Sequence, residues 1–443
     1  MANYLAPGVY VQEIPSGARP IGQVSTSIAA FVGVAPDDSA FRHEAVVLDN
    51  WSQFVDRFVG KAGVGSPLSN AVYGFFANGG GRCYVVNVGK DGSLTGTAAK
   101  PSGLSLLEAI DDISMVAAPG FSGAEAYAAL QEHVEHPLRQ DRMAILDTAE
   151  TVDDVGTLTR AATSGVPDED GGGSPDADEG SETEETPDAG TSEGDPPKPA
   201  AAPPSPATAP SSGRRSGRDD AAGAPQSPGG YTALYYPWIV MIDPVSGKKV
   251  TQPPSGHIAG VWARVDATRG VHKAPANEPI QGALDLVRRV SRGEQEVLNP
   301  AGVNCIRYFP GEGIRIWGAR TKAPEASEYR YINVRRLTNM IKESVAEGTR
   351  WVVFEPNDHT LWKSIRRDVG AFLTNVWRDG ALLGTTPQQA FYVKCDEENN
   401  PASVRDAGQV ITEIGIAPVK PAEFVIFKLM QSADTTEIET AGA

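Results

Sequence analysis

The string EHVEH sets His133 and His136 three residues apart, with Glu132 and Glu135 beside them, a donor set able to hold zinc. It falls at a helix end just before Pro137, where a solvated face accounts for the same letters. Gly311 and Gly313, followed by Gly318, miss the dinucleotide fingerprint and suit a tight turn instead. Neither a GxxxxGKS/T phosphate loop nor a GxSxG nucleophile elbow occurs. His272 and Lys273 lie in VHKAPANEP (Val271–Pro279), which reads either as a catalytic loop or as a rigid interface loop between prolines. The stretches AAPG, LDTAE and MIDP would sit at strand ends and line a crevice if the sheet is doubly wound. A pocket without a nucleophile or base is therefore the most that the residues offer. No catalytic, cofactor-binding or metal residue is assigned, and no cofactor is expected.

The elements that would carry such a crevice alternate between strand and helix. AAFVGVA, RCYVVNVG, ISMVAAPG, DRMAILDTAE and YYPWIVMIDP read as near-continuous apolar strands of the parallel, doubly covered kind. WSQFVDRFVG, SPLSNAVYGFFANGG and AEAYAALQEHVEHP carry helical spacing. Further on, NCIRYFP and GIRIWGA flank Gly311-Glu312-Gly313 as a hairpin, and YINVRRLTNMIKESVAEG is a helix ending at Gly348. RWVVFEPND reads as a buried strand entering a turn. TLWKSIRRDVGAFLTNVWRDG is an amphipathic helix with Trp362, Ile365, Val369, Phe372, Val376 and Trp377 on its apolar stripe. AFYVKCD, QVITEIGIAP and EFVIFKLMQ read as strands, so a strand is expected close to each end of the chain. The first, in YLAPGVYVQEIPSG, is followed by the linker-like ARPIGQVSTS and has no hairpin partner.

The 443 residues suffice for two ordinary domains, and the 40% hydrophobic content suits a globular protein. No apolar run is long enough to span a bilayer. With no basic n-region and with Pro7 and Gly8 early in the chain, no signal peptide is expected. Cys83, Cys305 and Cys395 are odd in number and lack CxxC spacing, so buried thiols in a reducing cytoplasm are expected. The net charge of −17 argues against nucleic acid as a partner. From Gly165 to Pro228 there are 14 Asp/Glu against 4 Lys/Arg and almost no large apolar residues, so most of the acidity belongs to this insertion. Such a composition predicts disorder, with a span of roughly 45 Å that must project from the folded body.

Taken together, YLAPGVYVQEIPSGARPIGQVSTSIAAFVG, YYPWIVMIDP, GHIAGVWARVDATRGVHKAPANEP, GIRIWGART, YINVRRL, WVVFEPND, GALLGTTPQQAFYVKCD and GQVITEIGIAPVKPAEFVIFKL resemble the tail sheath proteins of contractile phage tails and phage-tail-like injection systems. The resemblance covers both ends and most of the chain after Tyr231; between about Leu48 and Arg160 it lies mainly in pattern, and the acidic insertion has no counterpart. It implies an α/β (α+β) subunit with an inner domain built from both termini and an outer inserted domain. On that pattern residues 1–28 are an N-terminal strand arm and linker, 29–320 the outer domain, 165–228 its disordered insertion, and 321–443 the inner domain with a C-terminal strand arm.

It also implies a structural subunit rather than an enzyme, one that stacks as hexameric rings around an inner tube protein and contracts to drive the tube through a target envelope. Baseplate and terminator or cap proteins are the implied further partners, with no nucleic acid and no membrane insertion. Assembly in the cytoplasm of the producing cell is implied. Val9, Tyr10, Val11 and Ile14 of one arm and Phe424, Val425, Ile426 and Phe427 of the other match the strands that such subunits exchange. In the helix from Thr360 to Arg378, Lys363, Arg366 and Arg367 form a basic strip that would face the tube or else simply solvent. The competing expectation is an α/β enzyme with an acidic regulatory loop.

Overall fold

The computed structural model describes residues 19–90, 92–97, 100–137, 139–161 and 223–426. Strands β1 (Ala29–Gly33), β2 (Ala45–Leu48) and β3 (Cys83–Asn87) precede a small hairpin of β4 (Thr95–Thr97) and β5 (Lys100–Gly103). They are followed by β6 (Met115–Ala117), β7 (Met143–Asp147) and β8 (Thr232–Tyr236). Then come β9 (Ile239–Ile242), β10 (Lys249–Gln252), β11 (Glu278–Pro279), β12 (Asp285–Leu286), β13 (Val303–Phe309) and β14 (Gly313–Ile316). Nine of these form one sheet in the order β11-β14-β13-β8-β7-β6-β1-β3-β2. The six strands from β13 to β3 run parallel, and β2, β14 and β11 are antiparallel additions at the two edges.

Alternation along the central strands loads both faces. Phe31, Met143, Ile145, Ala233 and Tyr235 enter one apolar cluster, while Ala30, Val32, Ala144, Leu146, Leu234 and Tyr236 enter the other. The first face is covered by α1 (Trp51–Phe54), which continues as one π-helical turn, by α2 (Pro67–Ala77) and by α4 (Ser255–Arg269). The second is covered by α3 (Ala124–Glu135) and α5 (Arg292–Leu298). Helices α2 and α4 approach closely because Gly256 and Gly260 lack side chains; a Cβ on Gly256 would lie 2.4 Å from the Ala71 Cα.

A third cluster lies apart from the sheet. It joins Ile21 and Val24 of the N-terminal linker to α6 (Ile332–Gly348), α7 (His359–Arg378) and a two-stranded antiparallel ribbon of β15 (Phe391–Lys394) and β16 (Glu413–Ile416). Leu361, Trp362, Ile365, Val369, Phe372, Leu373 and Val376 of α7 are buried there, with Trp377 half-buried at the edge. The change from one core to the next happens inside α6: Ile332 packs with the sheet, and Leu337, Met340 and Ile341 with the third cluster.

Three expectations need correction. YYPWIVMIDP is two strands in two sheets: β8 is central in the large sheet, and β9 pairs instead with β10 and β12. Pro237 cannot donate to a ladder, and the chain turns there. RWVVFEPND is not a buried strand. It is a 3-10 turn (Arg350–Val352) and a loop from which Phe354 projects, 101% exposed with φ +69°. Its β-branched residues have no strand to pair with, because both ends are taken by the helices α6 and α7.

The third concerns the insertion, which ends earlier than composition suggested. Gly223 pairs with Ala161, and Ala224 and Ser227 are buried. Residues 165–222 lie outside the described residues. The three cysteines are buried free thiols, as expected.

Candidate functional site

The strand ends proposed as a crevice are occupied by the fold itself. Asp147, at the end of β7, accepts hydrogen bonds from the Ser255 backbone N–H and hydroxyl at the start of α4. Burial pushes its pKa up to about 7, against the lowering effect of those bonds. Asp243 accepts from Gly65, Val245 and Ser246 and so ties down two loops. Trp238 donates to the Thr148 carbonyl across the same end of the sheet. These carboxylates are committed to helix and loop caps, and none faces an open cleft.

The EHVEH pair separates. His133 is buried within the second face, against the expectation of a solvated helix end, and burial with the nearby Arg142 and Arg139 lowers its pKa to about 3. Among the described residues no group of three His, Cys, Asp or Glu could hold a metal. Nor is any described helix long and apolar enough to cross a membrane. His272 and Lys273 of the proline-bounded loop border a groove, where Lys273 Nζ donates to the Ala274 carbonyl at 2.6 Å and the Ala276 carbonyl at 3.2 Å. That loop is held by its own lysine.

Unpaired strand edges and exposed apolar residues lie around the third cluster. The β15–β16 ribbon pairs only with itself among the described residues, which leaves the outer edge of each strand without a neighbour. Two paired strands are a marginal sheet by themselves, and unpaired edges are templates for further strands. The C-terminal segment passes nearby: Leu383 donates to Ala417, Val419 donates to Ala381, and Leu382 bridges Pro418. Phe424, Val425 and Ile426 then stand 74%, 70% and 81% exposed, outside any strand. Phe427 and the N-terminal Val9, Tyr10, Val11 and Ile14 lie outside the described residues.

Both arms are rooted firmly. Before the C-terminal apolar triplet, Glu423 takes 2.7 Å from Asn299 Nδ2, 2.9 Å and 2.6 Å from Arg320 Nε and Nη2, and 3.1 Å from the Tyr331 hydroxyl. Partial burial acts to raise its pKa, but the bonds from Arg320, Asn299 and Tyr331 outweigh this and hold the carboxyl below its ordinary value. At the other end Arg19 stacks 4.6 Å from the Trp351 ring and Ile21 is buried. Val24 N–H donates to Ser344 Oγ, and Thr26 joins the ion pair between Asp266 of α4 and Arg336 of α6. The sequence hid both anchors, since a lone Glu and a lone Arg in a linker read as solvated.

Lys363, Arg366 and Arg367 all lie on the exposed face of α7, opposite its buried stripe. Arg367 Nε donates to the buried Asp368 at 2.9 Å. The other two have no ion pair among the described residues.

Two sequence models match: the phage tail sheath protein central domain over residues 206–322 and the phage tail sheath C-terminal domain over 325–431, together just over half of the chain. The tail sheath protein of Vibrio phage KVP40 is 31% identical over 192 residues, covering 42% of this chain and 28% of that protein. That of Burkholderia phage BcepMu is 29% identical, covering 44% and 41%. The match thus spans less than half the length of these curated relatives.

Among solved structures, the contracted PVC sheath complex of an extracellular contractile injection system superposes with a TM-score of 0.68 at 24% identity, over 98% of this chain and 99% of that one. The contracted helical sheath of the anti-feeding prophage gives 0.67 at 25% identity, over 96% and 99%. The fold is thus shared over nearly the whole chain, and the chain belongs to the phage tail sheath family.

Proposed function

We propose that the chain is the non-enzymatic subunit of a contractile sheath, stacking as hexameric rings around an inner tube and contracting to drive it through a target envelope. The observation that carries this reading is the β15–β16 ribbon with its two free edges beside the exposed Phe424-Val425-Ile426. Gly8–Ile14 of one neighbour and Phe424–Phe427 of another would fill those edges by β-augmentation. Four to six backbone hydrogen bonds at about 1 kcal/mol each make one arm weak. Several arms per subunit in a lattice raise the effective concentration and make the polymer stable.

In this reading residues 29–320 form the outer domain, and 321–443 with the N-terminal arm form the inner one. The α7 strip of Lys363, Arg366 and Arg367 meets acidic groups on the tube through salt-sensitive contacts. Baseplate and terminator or cap proteins close the ends, and assembly takes place in the cytoplasm of the producing cell. The matched structures include sheaths and baseplates of contractile systems, which supports self-assembly and a baseplate partner. Negative-stain microscopy of the overexpressed chain is the test. Rods or cogwheel-section tubes are expected, and a field of globules at assembly concentrations would contradict the proposal.

A further inference from the structure

A groove of about 880 Å³ runs between the Val271–Pro279 loop, α5, the β13–β14 hairpin and the C-terminal segment. Its lining holds six cationic side chains against two acidic ones, in a chain of net charge −17. The two acids are already engaged, Glu423 with Arg320 and Glu296 with Arg292. Arg269, Lys273, Arg307 and Lys420 are left with no ion pair among the described residues. Trp317, Pro300 and Pro421 give the groove apolar wall as well. Uncompensated cations lining one concave surface suit an extended, acidic peptide.

The chain carries such a peptide. Between Asp168 and Asp195 stand 12 Asp/Glu and no Lys or Arg, whereas all four basic residues of the insertion fall later, from Lys198 to Arg218. The insertion leaves and re-enters through a neck beside the groove. Gly223 N–H donates to the Arg160 carbonyl at 2.8 Å, and the Val155–Thr159 turn before the neck packs against α5. Arg288 ties the same region in by donating to the Val152 carbonyl. From Ala161 the seven residues to Asp168 reach about 24 Å when extended, more than the roughly 10–12 Å diameter of the α5 helix that stands between neck and groove.

We infer that the acidic stretch Asp168–Asp195 docks into the groove of its own chain, held by Arg269, Arg307 and Lys420, while the later Pro/Ala-rich part of the insertion extends away. The insertion is then a self-binding strap laid beside the root of the C-terminal arm, rather than only a solvated spacer. Its hold is electrostatic and weakens with salt.

Spin labels test this in the full chain, because Cys83, Cys305 and Cys395 are all buried and do not compete for labelling. Ser181→Cys and Val297→Cys are labelled together and diluted with excess unlabelled chain, so that distances within one chain are read. At low salt one narrow distance is expected; when salt shortens the screening length to a few ångströms it gives way to a broad distribution, because the 20 residues from Ala161 to Ser181 then sample a coil of about 25 Å span. Arg269→Glu with Lys420→Glu, both exposed positions, should give the broad distribution at every salt concentration with an unchanged melting temperature. A broad distribution at low salt in the unreversed chain, or a narrow one that survives the charge reversal, overturns the inference.

Discussion

Glu423 joins the C-terminal segment to the sheet-bearing body through five hydrogen bonds from three residues on separate elements, Asn299, Arg320 and Tyr331, all within 3.1 Å. Replacing it by Gln keeps the shape and removes the charge. Because the site is part-exposed, a loss of about 1–2 kcal/mol is expected, or a 5–30-fold faster amide exchange confined to residues 419–426. A carboxyl held low in the folded state stabilises above its unfolded value and loses that effect as pH falls through its folded value. The segment should therefore loosen in acid below pH 4.5, and exchange that is pH-independent there would remove the clamp's role. His257 also weakens the fold on acidification, but through burial rather than a lost clamp. It is fully buried with neither ring nitrogen partnered, and burial lowers its pKa to about 4. Protonation in the unfolded chain then destabilises the fold as pH drops below 6.5, by about 2 kcal/mol at pH 5. His257→Leu should be more stable than the parent at pH 5 and nearly equal at pH 7.5; denaturant melts at the two values check it. Neither residue could be singled out from sequence, because a carboxylate or imidazole acquires its partners, or lacks them, only through the packing of distant segments.

Periodicity carried the helices well. The stripe of α7 is buried where its spacing put it, and the Asp358 cap, whose side chain accepts from Leu361 N–H at 2.9 Å, starts the helix just beyond the loop. The same reasoning failed at RWVVFEPND, where strand propensity was real but no neighbour existed to pair with, and at Pro237, where one apolar run feeds two sheets. Strand propensity states what a residue tolerates, and pairing decides what it becomes. For α7 the exposed strip invites a direct test. Lys363→Glu with Arg366→Glu touches no buried group, so melting should be unchanged. Under the tube-facing reading, co-assembly with the tube protein should fall and its salt dependence should flatten. Unchanged tube-templated assembly would make the strip a solvated surface only.

Across the whole molecule, the alternating strands and helices made an α/β body legible, and the run of motifs from Tyr231 onward made the sheath family legible. The cluster joining Ile21 to α6, α7 and the ribbon was not, because its members are separated by more than 300 residues and meet only through the fold. That cluster also refines where the N-terminal arm begins. Arg19 and Ile21 belong to the folded subunit, so an arm deletion that tests assembly must stop at residue 18. The central claim is that subunits are joined by arms added to a neighbour's ribbon. The most direct measurement pairs a thermal melt with electron microscopy of Val11→Pro, which removes one backbone donor from the arm and nothing from any core described. A cooperative melt at the parent's temperature together with the absence of tubes is the predicted result. Normal tubes from Val11→Pro would contradict the account, and so would a subunit that no longer folds.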